Sequence, residues 1–187
     1  FSSSGAVLFY DTAATALYHL SLIDALPYST AKALFSSSGA GLDIFQTARA
    51  LYRSAGLNLS PEQTAKILVS SSGAGFSTYQ VARALYSGSG LGFDSFRVAD
   101  LLYKSAGASL SMYDTARALY FGGLGLNSWD VAAALFNGAK LSYANVARCL
   151  YSRSGLSLGF DQTTSAIFNG IGGINWLQTL AVVRGVI

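Results

Sequence analysis

The sequence predicts an all-α fold, an α-solenoid built from about ten to eleven copies of one short helix. Three observations lead there: a repeat of about 17 residues, helix start signals in copy after copy, and small-residue turns between them. A fixed short period is the mark of a stacked array, in which each unit survives only by packing on its neighbours.

The period is read from the Ala of a Thr-Ala or Val-Ala pair. It falls at Ala13, Ala31, Ala48, Ala65, Ala82, Ala99, Ala116, Ala132 and Ala147, with weaker copies at Thr164 and near Leu180. Residues 57–90, LNLSPEQTAKILVSSSGAGFSTYQVARALYSGSG, hold two such copies end to end.

Each copy opens with a Leu or Phe followed by Asp43, Ser60, Ser77, Asp94, Ser111, Asn127 or Ser142. These are helix N-cap residues, whose side-chain oxygens accept hydrogen bonds from backbone N–H groups that the first helical turn leaves unpaired. Five positions after the Leu or Phe stands Thr47, Thr64, Val81, Val98, Thr115, Val131 or Val146, the spacing of a hydrophobic staple. Gln46, Gln63, Gln80, Asp114 and Asp130 occupy the third helical position, and Pro61 the first, where its missing N–H is harmless. Gly56, Gly73, Gly88, Gly107, Gly122, Gly138 and Gly155 follow the apolar runs and are expected to end the helices in the left-handed conformation.

Such short helices are marginal alone. Aromatics recur three residues before the marker and four after it, so they share one helix face. Phe35, Tyr52, Tyr86, Tyr103, Tyr120, Phe136 and Tyr151, with Trp129 and Trp176, are the expected packing and assembly residues.

The chain reads as one continuous array over residues 1–187, entering in mid-unit at Phe1, with divergent terminal repeats at 1–30 and 160–187. Its composition is 51% hydrophobic and only 11% charged, where an ordinary domain has about 25% charged residues. Neither end carries a polar capping unit of the kind that closes a solenoid. The expected function is therefore structural: self-assembly into an extracellular filament, tube or sheath, with another copy of the chain as partner. The Ser-rich loops Ser36–Ser38 and Ser70–Ser72 are expected as candidates for O-linked sugar. No membrane span is expected, because the longest uncharged stretch, residues 162–183, is broken by Gln, Thr, Asn and Gly.

Catalytic chemistry is poorly supplied. His19 and Cys149 are single residues of their type, so no Ser/His/Asp, Cys/His or zinc set assembles, and no enzyme activity or cofactor is expected. Cys149 takes a slot that Ala fills in other copies.

The alternative function is a binding scaffold for nucleic acid or for a protein segment. Lys32, Arg49, Lys66, Arg83, Arg117 and Arg148 each lie one residue past the marker, and stacking would align them as a ladder able to track phosphates. Asp100 and Ala133 interrupt that row, and Asp100 is placed to bridge Arg83 and Arg117. The net charge of +3 also argues against nucleic acid.

The consensus (L/F)-S-x-x-x-(V/T)-A-(R/K)-A-L-Y-x-(S/A)-G, best kept over residues 43–155, resembles short helical repeats of bacterial surface and secreted proteins. The resemblance implies a helical array in an extracellular or cell-surface setting. It brings no function with it.

Overall fold

The computed structural model describes residues 26–53 and 57–187. The marker at Ala13, the residues Tyr18 and His19, the mid-unit start at Phe1, most of the divergent repeat at 1–30, and Gly56 lie outside the described residues.

Every described helix is short. In chain order they are α1 (Leu26–Phe35), α2 (Ile44–Arg53), α3 (Pro61–Val69), α4 (Thr78–Tyr86), α5 (Ser95–Tyr103), α6 (Met112–Phe121), α7 (Ser128–Ala133), α8 (Tyr143–Tyr151), α9 (Phe160–Gly170) and α10 (Trp176–Arg184). α7 runs on into a π-helical turn, Ala134–Gly138. No strand occurs among the described residues, and no described helix is long and apolar enough to cross a membrane.

The capping chemistry starts each helix. At Ser60 the Gln63 N–H donates to the serine Oγ at 3.1 Å, while the Ser60 N–H donates to Gln63 Oε1 at 3.0 Å. Asp43 and Gln46 exchange the same pair of bonds, and so do Asn175 and Gln178. At Gly159 only the Gln162 half forms, since glycine has no side chain to reciprocate.

The core is a ladder of small and aliphatic side chains. In α4 the buried residues are Val81, Ala82, Ala84 and Leu85; in α8 they are Val146, Ala147, Cys149 and Leu150. Leu34, Leu51, Leu68, Leu85, Leu102, Leu119, Leu135 and Leu150 repeat one position and are all fully buried. Each such leucine contributes about 1.5–3 kcal/mol, which is what keeps such short helices folded.

Each helix packs on the next one in the chain and also on the next but one. The array is therefore two layers deep. α1, α3, α5, α7 and α9 lie side by side in a first layer, and α2, α4, α6, α8 and α10 in a second. The structural unit is a pair of helices, twice the sequence period.

The turns correct the expectation for glycine. Gly73, Gly88, Gly107, Gly122, Gly138 and Gly155 are not left-handed. Where the end residue is Ser70, Ser87, Lys104 or Ser152, the helix stops because that residue turns extended. The positive φ comes later, immediately before the Leu or Phe of the staple, at Gly75 and Gly92 but equally at Asn58, Ser109, Lys140 and Ser157. Glycine is needed for room instead. A Cβ on Gly90 would overlap the carbonyl oxygen of Ala84, and one on Gly155 that of Cys149, whereas Gly88 faces open space. Close approach lets the turn bond back to the helix: Leu91 N–H donates to the Ala84 carbonyl and Phe93 N–H to that of Leu85, both at 2.9 Å.

Candidate binding face

A helix whose residues at marker −1, 0, +2 and +3 are buried must present those at −3, +1 and +4 to solvent. In the second layer these outward positions hold Phe45, Arg49 and Tyr52 on α2, Tyr79, Arg83 and Tyr86 on α4, and Tyr113, Arg117 and Tyr120 on α6. On α8 they hold Ala144, Arg148 and Tyr151. Spacings of four and three residues set Arg49, Arg83 and Arg117 each between two aromatics on one helix face, and Arg148 beside Tyr151.

One contact between neighbouring second-layer helices joins the first two triplets. The Arg83 guanidinium of α4 lies 5.7 Å from the centre of the Phe45 ring of α2, a cation–π contact. Arg148 donates to Asn145 Oδ1 at 3.0 Å on its own helix. None of Arg49, Arg83, Arg117 and Arg148 is in a salt bridge among the described residues.

The six-residue ladder expected from the sequence divides between the layers. Lys32 and Lys66 belong to α1 and α3, in the row that continues through Asp100 and Ala133; the four arginines belong to the other row, which neither residue interrupts. Asp100 does not bridge Arg83 and Arg117. Its carboxylate accepts from Arg97 Nη1 at 2.8 Å and pairs with Lys104 Nζ, both local to α5. Arg97 Nη2 reaches on to Glu62 Oε1 of α3 at 2.6 Å. Backbone hydrogen bonding at the start of α3, helped by the Arg97 guanidinium, holds the Glu62 carboxyl below its ordinary range.

The layers consequently differ in charge. Second-layer helices carry Arg49, Arg53, Arg83, Arg117, Arg148 and Arg184 against Asp114. First-layer helices carry Lys32, Lys66 and Arg97 against Glu62, Asp100, Asp130 and Asp161.

Compared with protein-family models, curated proteins and solved structures, the chain matches none.

The aromatics expected to pack the core sit at its margin. Tyr52, Tyr86, Tyr103, Tyr120, Phe136 and Tyr151 are half-buried, and Phe35, Trp129 and Trp176 are exposed. Except at Trp176, which begins α10, their position at +4 or −3 lies one step round the helix from the buried leucines, so each ring covers the core edge and leaves a face in water. Several pair with a ring of a neighbouring turn or helix, as Tyr52 does with Phe93 at 5.6 Å. The cap residues Asp43, Ser60, Ser77, Asp94, Ser111, Asn127 and Ser142 all accept backbone hydrogen bonds at helix starts.

Cys149 is enclosed in the core, its thiol 3.5 Å from the Met112 carbonyl oxygen. Burial pushes its pKa up to about 12, so it carries no thiolate chemistry at neutral pH. Among the described residues, no three His, Cys, Asp or Glu side chains gather as a metal site.

Proposed function

We propose that the array is a binding scaffold for single-stranded nucleic acid, held along the outer face of the second layer. The observation that carries this reading is the arginine row, free of acid partners among the described residues and flanked by two aromatic rings on α2, α4 and α6 and by one on α8. Guanidinium groups take phosphates as bidentate donors, and rings between them offer stacking surfaces for unpaired bases. A duplex has its bases stacked inside and would leave those rings without a partner.

The test is binding of a labelled pyrimidine oligonucleotide, followed by fluorescence anisotropy across a salt series. With about 0.7 counterions released per phosphate on a single strand, four arginine contacts give a log–log salt slope of about −3. Absence of binding at low salt would overturn the proposal.

A second reading is self-association into an extracellular filament or sheath. It is favoured by large apolar side chains left in solvent: Phe35, Phe96 and Phe168 in the first layer, and Leu177, 75% exposed, on α10. Electron microscopy of the purified chain at neutral pH distinguishes the two: polymers support this reading, and monodisperse monomers oppose it.

A further inference from the structure

The regular stack is broken at one place. The connection from α6 to α7 is shorter than those between the helices before it, and α7 passes into the π-helical turn Ala134–Gly138. At the start of α7, where that helix and α9 meet the end of α6, a cleft of about 310 Å³ opens.

Trp129 forms one wall, with Tyr120, Ser128, Asp161, Gln162 and Ser165 around it. The tryptophan is half in solvent, yet its backbone is fixed from two sides. Its N–H donates to Asn127 Oδ1 at 2.8 Å, and Gly170 of α9 lies so close that a Cβ there would overlap the Trp129 carbonyl oxygen. A flat apolar ring is thus carried on a fixed stretch of backbone at a cleft lined by Leu158 as well as by polar groups.

We infer that this cleft binds a neutral saccharide, with the Trp129 indole stacked on the C–H face of one sugar ring. The polar groups match a ring of hydroxyls. The Asp161 carboxylate accepts only, the Gln162 amide keeps its N–H donors because its oxygen already takes the Gly159 N–H, and Ser128 and Ser165 can donate or accept. An anionic ligand is excluded by charge, since a carboxylate lines the cleft and no lysine or arginine does. A quaternary cation would need a cage of rings, but the Tyr120 ring is turned edge-on to Phe121, 5.0 Å away. Pockets of this volume fall at the small end of ligand sites, matching one or two sugar units.

The test uses the full chain carrying W176F, which leaves Trp129 as the only tryptophan. Tetrasaccharides of glucose, mannose and N-acetylglucosamine are titrated separately while indole emission is followed. The expected result is a saturable emission shift with at least one of them, weakened about tenfold or more by D161A. D161A alters an exposed side chain and should keep the parent melting temperature, so its loss of binding reads the cleft and not the fold. The inference is overturned by no saturable shift with any of the three sugars, by a shift that D161A leaves unchanged, or by one that tetramethylammonium reproduces.

Discussion

The Arg83 guanidinium covers the Phe45 ring of the neighbouring second-layer helix at 5.7 Å, although the two residues lie 38 positions apart in the chain. This contact ties the arginine row to the aromatic row and gives the proposed interface two separable parts. R83A should lower the salt slope for a pyrimidine strand by about 0.7. Y79A, which removes the ring beside Arg83 on its own helix, should leave that slope nearly intact and weaken binding by about 1–3 kcal/mol, the loss of one stacked base. Anisotropy titrations of both variants over a salt series check this; equal slopes in R83A and the parent would count against a phosphate at Arg83.

The core leucines, not the rings beside them, should dominate stability. Leu85 is fully buried and Tyr86 half-buried. L85A should cost about 2–5 kcal/mol, and Y86A about 1 kcal/mol. Urea denaturation of the two variants measures the order, and a larger loss in Y86A would contradict the burial argument.

Two glycines on either side of Ser89 should respond differently. Alanine at Gly90 meets the Ala84 carbonyl, while alanine at Gly88 meets open space. G90A should destabilise by about 1–3 kcal/mol through forced backbone movement, and G88A by no more than about 0.5 kcal/mol. Thermal melts of each variant decide it.

Glu62 links stability to pH. Backbone hydrogen bonding and the Arg97 guanidinium hold its carboxyl below the ordinary carboxylate range in the folded chain, so its contribution is present above that range and is lost as pH falls through the folded pKa. The variant E62Q should melt below the parent at neutral pH, with the gap closing as both are acidified below the ordinary carboxylate range. A gap that stays constant from neutral to acid would show that the charge on Glu62 has no part in the Arg97 contact.

Much of this architecture was legible in the residues. The all-helical array, the helix starts at Ser60 and Ser77, and the burial of Ala82 and Cys149 follow from local rules, because caps and helix faces depend on residues within one or two turns. The glycine positions were visible but their reason was not. Gly107 answers to a carbonyl oxygen six residues back, a steric fact that a left-handed cap imitates in sequence, and in the copy where Gly88 is expected the crowded position is Gly90. The aromatics misled because a strict period says that Tyr86 shares a face with Tyr79, yet not whether that face turns inward. The candidate face was hidden by reading every copy as equivalent. Lys66, Asp100 and Ala133 share a position with Arg83 and Arg117 in sequence, but packing on the next helix but one sends them to the other side. A doubled period was the available signal: at this position Arg49, Arg83 and Arg117 stand 34 residues apart.

Alternation between the layers also fixes how the chain can be lengthened. Adding or deleting one 17-residue copy leaves every cap, turn and buried leucine intact, yet reverses the parity of all that follows. Arginines downstream would emerge among the acids, and the acids among the arginines. A solenoid of this kind tolerates growth by single helices as a fold and only by pairs as a charged surface.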